Sequence, residues 1–419
     1  MSKKKDSLKP WLSRPTINRS VTLPLTRPLT QRLSNLNEFH PNELDPYLLF
    51  DARDSMIGTL ENPTLDLDPS KPDTLNVITA TRAGTATFTD VNGLIASAPA
   101  NTVRVDHVDG VPMILVEPSA TNLVTNSTSF TENVDITKTT GIDAPDGTNT
   151  ASKISGILSS SSSDMAYSIA STVTSSTQVT GSIYVRGIAG EVVVLRIKRY
   201  TGGAYVASGP QTVTLTGDWQ RIEGLTMTLG ADNTNAAVSI RKESGSTADS
   251  VDLWGGQIEL GSVSTSYIPT SGSTVTRAAD KLEITGTAFS NFFNTGGDGT
   301  FYVEFETKDA FRDFYILNGQ NPQSRFFYSN YQNRLYSYDG AQSLVFGNVP
   351  SGLSRAAISY NSSNQFGSLN GSAMIGTTTH NGNLSNLTKL CIGSFYNNTD
   401  HLLGHIKRVL YWPVSNSNL

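Results

Sequence analysis

Apolar and polar residues alternate with a period of two through most of this chain, and nowhere does a sustained helical period take over. Residues 182–187 (SIYVRG), 191–200 (EVVVLRIKRY), 210–229 (PQTVTLTGDWQRIEGLTMTL) and 236–242 (AAVSIRK) each alternate as half-buried strands do. In residues 250–260 the alternation places Val251, Leu253, Gly255, Gln257 and Glu259 on one side of a strand and Asp252, Trp254, Gly256, Ile258 and Leu260 on the other. That run breaks at Gly261 and passes through YIPT at 267–270, where Pro269 removes a ladder donor and drives Ile268 toward an extended conformation. A second alternating series opens at Val275 with VTRAADKLEITG. It continues through 299–307 (GTFYVEFET), 356–360 (AAISY) and 405–413 (HIKRVLYWP). Residues 253–280 therefore read as a hinge between two β-rich modules.

Turn chemistry agrees with this division. Asp109-Gly110, between TVRVDHV and VPMILVE, and Asn370-Gly371, in LNGSA, are the dipeptides that two-residue hairpin turns demand. Residues 74–117 hold several short strands punctuated at Gly84, 90–93 and Pro99, and are expected to pack against one of the two modules. Ahead of them, Asn42 offers a cap for one short helix and LLFDARD one strand. The expected fold class is all-β: two tandem antiparallel β-sandwich (jelly-roll) domains preceded by an extended N-terminal arm. The arm spans residues 1–45, a β-rich connecting segment 46–116, the first sandwich 117–270 and the second 271–419.

Composition sharpens the arm. Residues 1–39 carry eight basic side chains against Asp6 and Glu38, a net charge of +6, which leaves the rest at −11 when the whole chain is −5. Pro10, Pro15, Pro24 and Pro28 interrupt this stretch and no apolar period runs through it, so it cannot bury a core of its own. Trp11, Leu23 and Leu25 beside Arg14, Arg19 and Arg27 suit a docking peptide that orders against an acidic partner. The segment lacks a nucleic-acid-binding fold or an aromatic stacking series, so nucleic acid is not the expected partner. No apolar run reaches the roughly 18 residues that cross a bilayer, and the charged start lacks the apolar stretch of a secretory signal. Cys391 stands alone in an apolar strand, where it reads as a small buried hydrophobe.

Candidate chemistry is of the binding kind. HExxH, G-x-S-x-G and P-loop motifs are missing and the five histidines (His40, His107, His380, His401, His405) are scattered, so no catalytic residue, metal ligand or cofactor is assigned. His401 and His405 would share a face only on a helix, whereas DHLLGHIKRVLYWP reads as turn and strand. Paired glycosidase carboxylates can come from distant strands, so spacing leaves that alternative open. Residues 311–338 interleave aromatics with Asn and Gln, the mixture a sugar requires: ring faces for its C–H surface and amides for its hydroxyls. Strand alternation turns half of these rings inward. Tyr328, Tyr331 and Tyr338 are the expected glycan or partner contacts. Trp219, at the start of a strand, is read as core packing rather than sugar stacking.

The stretch LWGGQIELGSVSTSYIPTSGSTVTRAAD at 253–280 resembles many bacteriophage tail and virion proteins, at the point where a carbohydrate-binding-module-like jelly roll closes and a concanavalin A/laminin-G-like sandwich opens. TRAGTATFTDVNGLIASAPANTVRVDH (81–107) and GVPMILVEPSATNLVTNS (110–127) resemble the entry to that jelly roll. RAAISYNSSNQFGSLNG (355–371) and LCIGSFYNNTDHLLGHIKRVLYWP (390–413) resemble the last strands of the sandwich. The resemblance covers about residues 75 to 419. It implies a virion structural protein (tail fibre, spike or surface decoration) assembled in the host cytoplasm and released by lysis. It further implies attachment to host-surface glycan, other virion proteins as partners of the arm, and a homo-oligomer, expected as a trimer. It also implies a structural calcium between first and last strands of the jelly roll, where Glu117 and Asp252 lie. A purely architectural role, or a polysaccharide-degrading enzyme, are the alternatives.

Overall fold

The computed structural model describes residues 62–160, 164–169, 178–201, 204–229, 233–309, 312–330, 332–373, 375–377 and 382–416. The arm, with Trp11, Arg14, Arg19, Leu23, Leu25 and Arg27, lies outside them, as do the helix and strand expected before residue 62. Among the described residues the chain is almost wholly antiparallel strand, with one five-residue α-helix, Gly286–Ser290, and one 3-10 turn, Pro72–Val77. The all-β expectation holds.

Four larger sheets pair into two sandwiches. One sandwich packs a five-stranded sheet (Gln220–Thr228, Gln178–Arg186, Ser250–Leu260, Ala151–Ser155, Thr137–Ile142) on a six-stranded one built around Val192–Thr201 and Asn233–Arg241. Its core interleaves Val179, Ile183, Val185, Val251 and Leu253 from the first sheet with Val193, Leu195, Ile197, Val238 and Ile240 from the second. The other sandwich packs an eight-stranded sheet, centred on Gly299–Thr307 and Gly404–Trp412, on a seven-stranded one. The seven strands run Thr79–Thr81, Lys281–Thr285, Lys389–Ile392, Phe314–Asn318, Arg325–Asn330, Arg334–Tyr338, Ser343–Asn348. Its core is larger and aromatic, with Phe301, Phe305, Phe314, Phe326, Phe327 and Tyr411 buried together.

Residues 65–116, expected as a connecting segment that packs on a sandwich, supply strands to this second sandwich. Leu65–Leu67 pairs with Gly404–Trp412, as does Val111–Val116, which also pairs with Arg104–Val108; Thr79–Thr81 pairs with Lys281–Thr285. The first sandwich is thus inserted between strands of the second. Asp109 and Gly110 take φ of 51° and 78°, forming the hairpin that their identity predicts, and Asn370 and Gly371 (52° and 72°) do likewise.

Two expectations need correction. Strict alternation through 250–260 fails at Gly255, which adopts φ +63° at a bulge opposite 182–184. Past the bulge, Ile258 joins Val251 and Leu253 in the core and Gly256 meets Ser168 and Val238, while Trp254 turns to the other face. The stretch at 267–270 is a packed joint rather than a free hinge. Tyr267, Ile268 and Thr270 are buried, the Asn122 amide donates to Ile268 O at 2.9 Å, and Ser127 N donates to Thr270 Oγ1 at 2.9 Å. Cys391 is buried as expected, which pushes its thiol up to about 11.

The joint is closed by buried charges. Arg82 donates to Asp280 at 2.9 Å and Arg104 to Glu117 at 2.8 Å; Arg104 also reaches Asp280, and Arg277 lies 3.4 Å from Glu117. Ser266, on the way out of the inserted sandwich, donates through N and Oγ to Glu117, both at 2.7 Å. Burial would raise the Glu117 carboxyl, but Arg277, Arg104 and Ser266 outweigh it and hold the group well below the usual carboxylate range.

Candidate glycan-contact face

The outward face of the seven-stranded sheet carries a row of tyrosines. Cross-strand register sets Tyr315 opposite Tyr328, Tyr328 opposite Tyr336, and Tyr336 opposite Val345, so one row crosses four neighbouring strands. A parallel row sets Arg325 opposite Tyr338 and Tyr338 opposite Ser343. The rings stack: Tyr315 on Tyr328 at 5.4 Å and 15°, and Tyr328 on Tyr336 at 5.5 Å and 30°. Phe395 closes the row by stacking on Tyr315 at 4.5 Å and 29°, with Tyr396 edge-on behind it.

Phe395 is delivered by a tight loop after the strand Lys389–Ile392. Gly393 opens that loop at φ +72°, and a Cβ there would come within 2.6 Å of Val116, so glycine is required on both counts. Phe395 N then accepts its turn by donating to Thr399 O at 2.9 Å. Within residues 312–338 the phenylalanines and tyrosines sort by hydroxyl. Phe314, Phe326 and Phe327 enter the core, whereas Tyr315, Tyr328, Tyr336 and Tyr338 face out, because a phenol in the core would need a partner for its O–H.

Tyr328 and Tyr338, two of the three tyrosines singled out from the sequence, therefore lie together on this face, half-buried; Tyr331 lies outside the described residues. Tyr315, Tyr336, Phe395 and Arg325 were not singled out. Arg325 occupies the middle, its guanidinium 5.2 Å from the ring centres of Tyr328 and Tyr338, 5.4 Å from Phe395 and 5.8 Å from Tyr315. The Tyr338 hydroxyl donates to Gly340 O at 2.9 Å. Burial pushes the Tyr315 phenol up to about 12, so it is uncharged at neutral pH. Such a surface offers hydrophobic ring edges, phenol donors and acceptors, and one fixed cation.

The inserted sandwich has an aromatic outer face of a different kind. Tyr184, Trp254 and Tyr267 cluster on its five-stranded sheet at centroid distances of 4.4 to 6.3 Å, but all three are buried. The hairpin formed by Ala86–Thr89 and Ile95–Ala98 covers them: Thr87 Oγ1 bonds Tyr267 O, and Ile95 packs on the cluster. Trp219 is half-buried at the border of this cluster, outside the sandwich core, with the Arg186 guanidinium 4.8 Å from its ring centre.

Neither carboxylate implied for calcium is free to hold it. Glu117 is engaged by two arginines and Ser266, and Asp252 by Arg186 at 2.8 Å and Lys153 at 3.8 Å, so the two belong to separate ion-pair networks and do not fit a shared cation. His401 and His405 do not act as a pair. His401 is buried beside Asn398, which pushes its imidazole down to about 4, and His405 sits between Asp106 and Glu306 at 2.9 and 2.8 Å. A cleft of about 480 Å³ is lined by Pro118, Thr121, Glu259, Val263, Asp309 and Arg312. Its Glu259 carboxyl is raised by burial and is held by its own turn, accepting from Thr265 N at 2.9 Å, Thr265 Oγ1 at 2.6 Å and Gln257 Nε2 at 2.6 Å.

No protein-family model matches the chain, and no curated protein sequence does. Among solved structures it is similar to the CBM22-1-GH10 modules of endo-1,4-β-D-xylanase 10B from Clostridium thermocellum complexed with xylohexaose, at 14% identity over 34% of this chain and 28% of that one, with a TM-score of 0.26. It is similar to the CBM22-1 xylan-binding domain from Paenibacillus barcinonensis at 14% identity, over 34% of this chain and 92% of that one, with a TM-score of 0.25. The tandem CBM22-1-CBM22-2 domain from the same organism shares 9% identity over 72% of this chain and 98% of that one, with a TM-score of 0.26. The chain thus spans little more than a quarter of the length of the xylanase structure, and similarities of this size identify neither a ligand nor a role for it.

Proposed function

We propose that the chain is a bacteriophage virion protein of the tail fibre, spike or surface-decoration kind, which attaches to host-surface glycan through the outer face of its second sandwich. The observation that carries the binding part is the row of Tyr328 and Tyr336 with Tyr338 and Arg325, half-open on a sheet rather than on a loop and backed at one end by the buried Tyr315. Phenol hydroxyls and a guanidinium both bond sugar hydroxyls, and the exposed ring edges add apolar contact area. The virion part is supported by the resemblance of residues 81–127, 253–280, 355–371 and 390–413 to phage tail proteins. On this reading the second sandwich is of the concanavalin A/laminin-G-like kind, the basic arm of residues 1–45 docks on an acidic virion partner, and the protein works as a homo-oligomer, a trimer, by binding rather than catalysis.

One observation favours the architectural alternative. The tyrosines stack on one another, so their faces are spent within the row and a neighbouring subunit could cover the edges. A glycan array probed with the full chain separates the two. Binding to one glycan class that is lost in Tyr336→Ala supports attachment; silence across the array, with normal incorporation into particles, leaves architecture. Deletion of residues 1–39 is expected to abolish incorporation in a complementation assay while glycan binding persists. Normal incorporation of the truncated chain would end the docking role of the arm.

A further inference from the structure

Arg325 stands among the outward tyrosines without an acid to neutralise it. Its Nε donates to Pro322 O at 2.8 Å, and among the described residues no carboxylate pairs with it. Arg186 is matched to Asp143 and Asp252, Arg196 to Glu243 and Arg408 to Asp66, whereas Arg325 is one of the arginines that form no ion pair among the described residues. A half-buried cation pays in lost hydration, and the ring faces around it return only part of that.

The guanidinium also sits high on the face. Arg325 and Ser343 both hydrogen-bond the Tyr328 hydroxyl, at the outer end of the ring. Asp313 and Asp400 act on Tyr315, whose ring centre lies 5.8 Å from the guanidinium, but neither forms an ion pair with it, and the Asp339 carboxylate accepts from Ala341 N at 2.9 Å and Gln342 N at 2.7 Å. With Nε spent on Pro322 and one Nη N–H on the Tyr328 hydroxyl, the remaining Nη N–H groups are the donors left for a carboxylate.

We infer that the face selects acidic glycans, the Arg325 guanidinium receiving the carboxylate of a carboxyl-bearing sugar while the edges of Tyr328 and Tyr338 cover its ring. This rests on the reading of the tyrosine row as a glycan-contact face and adds to it the class of sugar. A neutral hexose in the same place would leave the cation unpaired, so discrimination comes from the charge and not from the shape of the ring.

The experiment is an array in which each acidic polysaccharide is printed beside its carboxyl-reduced form, which keeps the backbone and loses the charge. It is read with the full chain and with Arg325→Lys and Arg325→Gln. The wild type is expected to bind at least one acidic member and to bind its reduced partner about tenfold more weakly or worse, the size of a lost charged hydrogen bond. Arg325→Gln should level the pair, and Arg325→Lys should keep part of the preference, having the charge without the fork. Equal binding of both forms by the wild type, or a preference that survives in Arg325→Gln, overturns the inference. Should the glutamine variant fail to fold, the lysine variant and the wild-type pair still decide it. Binding confined to neutral glycans overturns this inference and leaves the attachment reading standing; silence across all glycans removes both.

Discussion

The two sandwiches each turn an aromatic cluster away from their core, and only one of those clusters meets solvent. Tyr184, Trp254 and Tyr267 of the inserted sandwich are 7%, 1% and 3% exposed beneath the chain's own hairpin, whereas in the other row Tyr315 is equally buried but Tyr328, Tyr336 and Tyr338 are half-buried with no described strand above them. The residue types are nearly the same. What separates a covered cluster from an open one is whether the chain lays another segment on the face, and among the described residues the segment 82–117, tied down by Arg82, Arg104 and Glu117, lies on the first and not on the second.

The largest effect that tests this contrast is on stability. Trp254→Ala should remove a fully buried ring from beneath the hairpin and cost about 3–5 kcal/mol in chemical denaturation, as such truncations do, while the folded fraction keeps its glycan binding. A mild loss combined with abolished binding would mean that the covered face is the functional one. Next in size, Tyr336→Ala should weaken glycan binding by about 1–3 kcal/mol, the usual range for a contact hot spot. Its unfolding free energy should change by about 1 kcal/mol at most, since the ring lies outside the core. A Tyr336→Ala chain that unfolds instead would place the row in the structural class of Trp254.

The smallest effect concerns the cover itself, where His405 joins Asp106, whose carboxylate also accepts from Thr89 N in the covering hairpin. Burial works to lower the His405 imidazole, but hydrogen bonds to Asp106 and Glu306 outweigh it and hold it above its ordinary value. Its contribution to stability is therefore fully present below about pH 6.5 and is lost as pH rises through its folded value. Burial would raise Asp106, yet His405 and Thr89 bring it below its ordinary value, and His405 does the same for Glu306, so these two contribute above about pH 4 and lose it on acidification. Unfolding free energy should pass through a maximum between those limits, and His405→Gln should flatten its alkaline side with glycan binding unchanged. An unaltered profile in that variant would remove His405 from the cover.

Much of this was legible in residues. Asp109-Gly110 could be placed in a hairpin because positive φ at two successive positions admits few other sequences. The direction of Tyr328 and Tyr338 followed from seeking polar rings among amides. Gly255 defeated the alternation because a glycine in a strand can mark a bulge or nothing, and the difference lies in the neighbouring strand. The same holds at Arg325–Asn330, where a shift lets Phe326 and Phe327 both point inward, so counting every second residue misassigns the row. Tyr315 and Tyr336 could have been found by separating Tyr from Phe. Arg325 could not: that it lacks an acid is a fact about distant loops. The places of Leu65–Leu67, Thr79–Thr81 and Val111–Val116 in the second sandwich were hidden for the same reason, since their partners there lie 200 or more residues away in the chain.

Insertion of one sandwich into another also sets the order in which they can form. Thr64 bonds Tyr411 across a separation of 347 residues, and Val111–Val116 likewise waits for Gly404–Trp412. The strands of the inserted sandwich all fall within residues 131–260. During synthesis, then, the middle of the chain can fold while its first strands are still without partners, and the outer sandwich closes only after the last strand leaves the ribosome. A nascent or C-terminally clipped chain would hold one finished sandwich between unpaired apolar edges, and the tyrosine face would come into being last.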